Sequence, residues 1–347
     1  MRHSTCQHAI GAAIAAALIC ATAIPASASF QNPSQSAAEQ STRVVTDDVG
    51  RRVAMPAEIN RIVTLAPNVT EIVYALGIEN KLVGDTNECN TPPAAKSKPH
   101  VGEPQSPSIE AILALHPDLV LATDAINRVD TADALQHLGI AVYTMAGDTQ
   151  TVLHILDSMA RVAELTGAEP QGSDLVANLR SRLDALHARL QDRPMAHVLF
   201  VVWEDPLITI GQNTFIADAL RWASAESVIL SKQNWPQIGI EEVVRLQPDY
   251  IVFANGHGET AATELAELRT RPVWRDLDAV ELGHVINLNE EAIRPSPGLV
   301  DAIEQLARAV HPEAFAANAE NLSPRSGARR TSPLSMKTNA ECDPCAR

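Results

Sequence analysis

One stretch of this chain occurs twice, and that constrains the fold more than any other feature. Ser108-Ile109-Glu110-Ala111-Ile112-Leu113-Ala114-Leu115-His116-Pro117-Asp118-Leu119-Val120 returns 131 residues later as Gly239-Ile240-Glu241-Glu242-Val243-Val244-Arg245-Leu246-Gln247-Pro248-Asp249-Tyr250-Ile251. In each copy a polar loop leads into a short helix with apolar residues at helical spacing. Pro-Asp closes the helix, because proline disfavours helix in the residue before it, and an apolar strand follows. The same step made twice predicts two similar halves, each with its own sheet. Pro-Asp punctuation alone is common in α/β chains; the glutamates at matching third positions, Glu110 and Glu241, go beyond it.

Around the repeat, short β-branched runs alternate with helical patterns. Strands are expected at 61–65, 81–84, 119–122, 141–144, 198–202, 250–254 and 285–288. The spacing of Val69, Ile72, Val73 and Leu76 predicts a helix directly after the first strand. Strand alternating with helix implies parallel sheets wrapped by helices. Between the halves, Leu175, Leu179, Leu183, Leu186 and Leu190 recur at spacings of three and four, predicting a linking helix over 169–192. At about 1.5 Å per residue it spans roughly 35 Å and should hold the lobes at a nearly fixed distance. The expected organisation is a leader at 1–28, a polar segment at 29–60, an amino-terminal α/β lobe at 61–168, the linking helix, a carboxy-terminal α/β lobe at 193–315 and a disordered tail at 316–347.

Charge and composition narrow the function. The chain of 347 residues carries 27 Lys plus Arg against 42 Asp plus Glu, a formal charge of −15 that repels phosphate backbones, so nucleic-acid binding is not expected. Aromatics are only 3% of residues, which makes each Trp worth locating. Trp222 and Trp274 fall in helical or pre-helical contexts and read as packing. Trp203 follows a strand and Trp235 stands in a polar loop; both offer flat platforms for a large ring.

The first residues read as an export signal. Arg2 and His3 precede an apolar stretch from Ala9 to Ile24, and Ala26-Ser27-Ala28 supplies the small residues of a cleavage site before Ser29. A lipid anchor on Cys20 is disfavoured by the bulky Ile19 before it. No later segment reads as a membrane span. Export would leave Cys89, Cys342 and Cys345; the CxxC spacing of the last two, in a polar tail with no strand before it, reads as a tail disulfide or free thiols rather than a redox or zinc motif.

The chain resembles the exported substrate-binding proteins of ABC importers in the helical-backbone class, class III, which carry cobalamin, haem or iron-siderophore. The residues that carry the resemblance are Arg61-Ile62-Val63-Thr64-Leu65-Ala66-Pro67-Asn68-Val69-Thr70-Glu71, Leu76-Gly77, Val83-Gly84, Pro92-Pro93, Val101-Gly102, the two Glu-bearing repeats, Trp235-Pro236-Gln237 and Arg294-Pro295-Ser296-Pro297-Gly298. The Pro-Pro loop and Trp-Pro-Gln point to the cobalamin-binding branch. The resemblance implies two Rossmann-like lobes and a corrinoid or other metal-chelate ligand held between them. It also implies a membrane permease with its ATPase as partner, a periplasmic location and a monomeric receptor without a cofactor of its own. Glu110 and Glu241 match the surface glutamates that dock on the permease, where paired charges fix register. Arg294 matches an arginine near the ligand.

Crevices open where loops leave the carboxyl ends of strands. Pro67, Asn68, Glu88, Pro104, Trp203, Trp235 and Arg294 are therefore the expected ligand contacts. Where the cobalamin branch places aromatics, this chain has Glu88, Pro104 and Thr123, which leaves one wall without rings and keeps haem and siderophore as alternatives. Glu88, Cys89 and His100 make that loop polar, and His100 and His257 are the candidate metal ligands, though no His-rich loop suited to a naked ion is present. The hydrolase GxSxG, the zincin HExxH and the phosphate loop GxxxxGK[ST] are absent. A carrier is expected, not an enzyme.

Overall fold

Repetition in the sequence becomes repetition of strand register. The computed structural model describes residues 42–148, 151–254 and 260–320. In the first half, β1 (Thr42–Thr46) and β2 (Arg52–Pro56) form an antiparallel pair. Then follow β3 (Ile62–Thr64), α1 (Pro67–Ala75), β4 (Leu82–Gly84), the two-residue strands β5 (Gly102–Glu103) and β6 (Ser106–Pro107), α2 (Ile109–Ala114), β7 (Leu119–Thr123), α3 (Val129–His137), β8 (Ala141–Met145) and α4 (Val152–Thr166). The linking helix α5 spans Glu169–Leu190. The second half runs through β9 (Ala196–Glu204), β10 (Leu207–Thr209), α6 (Phe215–Trp222), β11 (Ala225–Ser227), α7 (Ile240–Leu246), β12 (Tyr250–Phe253), α8 (Ala261–Leu268), α9 (Asp278–Glu281), β13 (Val285–Asn287), α10 (Gly298–Val310) and α11 (Pro312–Glu320).

The first sheet has the order β4-β3-β7-β8, all parallel. In the second, β9 lies between β12 and β11, and β13 closes the far edge, again all parallel. Ile62 faces Leu119 in one sheet and Val198 faces Tyr250 in the other, so the repeat preserves register as well as order. One element breaks the expectation of purely parallel sheets: β10 turns back and pairs antiparallel with the carboxyl end of β9.

The repeated Pro-Asp has a physical reason beyond helix termination. His116 and Gln247, each directly before the proline, both adopt left-handed backbone, with φ of 46° and 42°. The next residue but one then swings its carboxylate onto the start of the neighbouring strand. Asp118 Oδ2 accepts from the amides of Asn60 and Arg61, both at 2.9 Å, and Asp249 Oδ2 accepts from the amide of His197 at 2.8 Å. An ionised acceptor makes these bonds stronger than neutral ones.

Side chains alternate across each sheet, as the pleat requires. Ile62, Leu119 and Leu121 face one core, whereas Val63 and Val120 face an outer layer under α2 with Ile112 and Leu135. In the second sheet Val198 and Phe200 face the first core, while Leu199 and Val201 face an outer layer with Val243, Trp274 and Val280. The first core is continuous from one sheet to the other: Met159 of α4, Leu183 of α5, Leu220 of α6 and Leu306 of α10 all belong to it. Gly172 lets α5 approach α4, since a Cβ there would lie 2.3 Å from the Ala163 methyl.

Val53 and Met55 of β2 are buried in the same core, so residues of the expected polar leader pack on the first half. At the other end α11 runs to Glu320, across the boundary expected at 315. The export signal with Cys20, and the tail with Cys342 and Cys345, lie outside the described residues.

Candidate functional site

A cleft of about 310 Å³ opens at the carboxyl ends of the first sheet's strands. Ala66, Pro67 and Asn68 enter it where β3 hands over to α1, Glu88 comes from the loop after β4, and Thr123, Ala125 and Ile126 come from the end of β7. Ile293, Arg294 and Pro295, from the turn before α10, face them from the second half. Residues more than 200 positions apart thus meet where open α/β sheets place ligands.

Four of the seven expected contacts, Pro67, Asn68, Glu88 and Arg294, line this cleft together. Pro104 is buried beside it, its carbonyl accepting from Asn127 Nδ2 at 2.9 Å, and the neighbouring Gln105 supplies the lining. Trp203 is 60% exposed, its indole donating to the Asp205 carbonyl at 2.9 Å, and Trp235 donates to Asp148 Oδ2 at 3.0 Å. Neither ring is among the residues lining the cleft. Trp274 is buried in the outer core and Trp222 packs edge-on against His187, as packing residues do.

The second half sends its cation across the cleft. Arg294 Nη1 lies 3.1 Å from Glu71 Oε1 on α1, and its Nη2 lies 3.1 Å from Glu290 Oε1. Both Arg294 and Glu71 are largely buried. The guanidinium expected at the rim to greet a ligand is therefore engaged by two carboxylates. Glu71 was not foreseen as part of the site; its signal is a carboxylate inside the otherwise apolar run Val69, Ile72, Val73 of α1. Asn68, at 5% exposure, leaves Nδ2 without a hydrogen-bond partner, and Ser296 Oγ, close by in sequence to Arg294, is in the same condition. A buried polar atom left unpaired costs roughly 1–3 kcal/mol, and neither of these two atoms is accessible from the cleft. No side chain caps α1, whose N-cap residue is Ala66.

Of the expected metal ligands, His100 sits outside the cleft lining. His100 Nδ1 is 2.7 Å from Asp85 Oδ1, and Asp85 is fully buried. Burial pushes the Asp85 carboxyl up to about 6, partly opposed by its bond to His100. Cys89 is turned inward, its Sγ 3.1 Å from Thr70 Oγ1 and 3.2 Å from Thr86 Oγ1, and burial raises its thiol. It therefore does not join Glu88 in a polar, ligating loop. His257 lies outside the described residues. Among the described residues no group of three or more His, Cys, Asp or Glu is placed to hold a metal ion. Glu110 and Glu241 are exposed, each in the first turn of its repeat helix.

Two parallel sheets with a shared helical layer and a cleft between the halves match a known family: residues 62–292 correspond to the periplasmic binding protein family. This chain is a periplasmic binding protein. A substrate-binding lipoprotein of an ABC transporter in Bacillus subtilis (strain 168) is 29% identical over 87% of this chain and 97% of its own length. The vitamin B12-binding protein of Vibrio cholerae is 29% identical over 73% of this chain and 90% of its own. The crystal structure of the periplasmic vitamin B12-binding protein of that organism superposes with a TM-score of 0.62 at 28% identity, covering 74% of this chain and 98% of that one. A periplasmic haem-binding protein from Roseiflexus sp. RS-1 shares the fold, with a TM-score of 0.65 at 24% identity over 74% of this chain and 99% of its own. The resemblance read from the sequence is to this same family. Among the described residues no helix is long and apolar enough to cross a membrane.

Proposed function

We propose that this periplasmic binding protein is the exported receptor of an ABC importer. In this reading it captures a corrinoid, or a related metal chelate, in the cleft between its halves and passes it to a permease driven by a partner ATPase. The observation that carries this is the cleft itself, where 66–68, 88 and 123–126 of one half face 293–295 of the other. The similarity to vitamin B12-binding proteins supports the corrinoid choice within the class. A cleft of about 310 Å³ is at the small end of ligand pockets, which run from about 300 to 1,000 Å³. A macrocycle would therefore enter by an edge or by its substituents, with exposed Trp203 free to serve as an outer platform.

Glu110 and Glu241 are the docking residues of this reading: one exposed carboxylate per half, on helices related by the repeat, suits a permease with two similar faces. The receptor acts as a monomeric carrier in the periplasm, without a cofactor of its own and without catalysis. Isothermal titration calorimetry with cyanocobalamin, haemin and a ferric siderophore tests the proposal. Saturable one-to-one binding of cyanocobalamin is expected; binding of haemin or the siderophore alone would transfer the function to another ligand of the class, and heat from none of them would remove it.

A further inference from the structure

Trp235, expected to offer its face to a ring, gives its single donor to the first half instead: the indole N–H bonds to Asp148 Oδ2 at 3.0 Å, 87 positions away. The ring stands on a clamped loop. On either side of it, the Asn234 and Pro236 carbonyls accept from the amides of Gly211 at 2.8 Å and Thr209 at 3.1 Å. Gly211 has no room for a side chain, since a Cβ there would lie 1.8 Å from the Gln233 carbonyl oxygen. The loop before α7 is thereby fixed against β10 and the residues that follow it.

Asp148 is held from the same side. Its carbonyl accepts from the amide of Phe215, the first residue of α6, at 2.9 Å, and Val152 N donates to Asp218 Oδ2 at 2.8 Å. The passage from β8 to α4 is thus fastened to the second half, and on its other side it leans on the cleft. A Cβ on Gly147 would stand 2.3 Å from the Ala125 methyl, and Gly147 N donates to Asp124 Oδ1 at 2.5 Å. Ala125 and Ile126 line the cleft, whereas neither Asp148 nor Trp235 does. Both wall residues belong to the loop between β7 and α3, so their position is set by what they lean on.

We propose that Asp148 and Trp235 are positioning residues: through Gly147 their bond holds the cleft wall at 124–126 in place from the second half, and ligand affinity depends on it although neither side chain touches the guest. A wall fixed beforehand does not have to be ordered by the ligand, which lowers the cost of association. The bond needs an acceptor at 148, not a charge. Burial pushes the Asp148 carboxyl up and Asp124 adds to this, while the indole bond opposes it. An asparagine would keep an oxygen for the indole and remove the repulsion from Asp124.

Hydrogen exchange on the full chain without ligand reads the strut directly. Asp148→Ala and Trp235→Phe are each expected to speed exchange across 123–127 by about threefold to tenfold, the loss of one hydrogen bond. The double variant should go no further than either alone, because both remove the same bond. Asp148→Asn should exchange like the unaltered chain, and 62–64 of β3 should not change in any variant. Calorimetry with cyanocobalamin, which rests on the corrinoid reading above, should follow the same pattern, with affinity falling about threefold to tenfold in each single variant and no further in the double. Unchanged exchange at 123–127, or equal acceleration in β3, overturns the inference. So do calorimetric losses that multiply in the double variant, as they would if Trp235 stacked on the guest directly. Should no chain bind cyanocobalamin, the corrinoid reading falls and the exchange pattern alone decides the strut.

Discussion

The two halves share a plan and differ at one point that matters for the site. Each runs first strand, helix, edge strand, repeat helix, second strand, third strand. In the first half β3 passes directly into α1, so that Pro67 and Asn68 stand at the cleft with no side-chain cap. In the second half β9 extends to nine residues, β10 folds back on it, and only then does α6 begin, capped by Thr214, whose hydroxyl accepts from the Ala217 amide at 3.2 Å. The inserted hairpin seals a helix end that its counterpart leaves open. Duplication gave two sheets of the same order, but the polar wall of the cleft comes mainly from one, and the other contributes the turn carrying Arg294.

The comparison can be tested where the halves are expected to behave alike and where they are not. The largest effect concerns delivery, in which both halves should count. Replacing Glu110 and Glu241 together by Ala is expected to lower ligand uptake by about 30-fold in a transport assay, if each pair is worth about 1 kcal/mol. Calorimetric affinity should persist. A single replacement that abolishes uptake as fully as the pair would break the symmetry.

The carboxylates after the repeated prolines come next. Asp118→Ala removes two bonds to exposed backbone amides and should destabilise the fold by about 1–2 kcal/mol in urea melts, whereas Asp249→Ala removes one such bond and an exposed contact to the His197 ring and should cost about 1 kcal/mol. Reversal of that order would show that the second half relies on the contact more heavily.

One pH effect sets the first half apart. The position after β4 holds buried Asp85, whereas the position after β11 holds Val228. The native Asp85 carboxyl keeps its proton up to about pH 6, while an unfolded chain releases it near about pH 4. The proton's contribution to stability is thus fully present below about pH 4 and is lost as pH rises through 6. Asp85→Asn should flatten stability between those pH values, measured by thermal melts; an unchanged slope would assign it to other groups.

The smallest effect tests the repeat helices. Ser108 caps α2 by accepting from the Ala111 amide at 3.1 Å, whereas Gly239 offers α7 no side chain. Ser108→Ala should cost about 1 kcal/mol, and Gly239→Ser should gain a few tenths, roughly. At Gly239 a new Cβ meets only the movable Glu241 carboxylate, at 2.9 Å.

Much of this architecture was legible because it rests on local chemistry. The strand runs around the repeat and the leucine spacing of 169–192 found their elements to within a few residues, and Pro67, Asn68, Glu88 and Arg294 were assigned to the cleft from strand-end logic and resemblance. What escaped detection depends on long-range geometry. Leu207–Thr209 is too short and too close to Pro206 to announce a strand, and it exists only because β9 offers a free edge. The β1–β2 pair follows a Ser- and Gln-rich run that masks its alternation. Arg294 and Glu71 meet across 223 positions, and no local pattern encodes that ion pair. The aromatic platforms were placed from strand-end and loop context; neither Trp203 nor Trp235 is among the residues lining the cleft, and their indoles bond to Asp205 and Asp148 instead.

The unbroken core that joins the sheets through α4, α5, α6 and α10 has a consequence for how this molecule comes apart. A protease cut just after Leu190 would not release two free bodies, because each fragment would carry half of an oily seam that water penalises. The pieces should stay married on a sizing column and separate only when denaturant melts both at once. The joint is a weld, and the long rod is merely its visible edge.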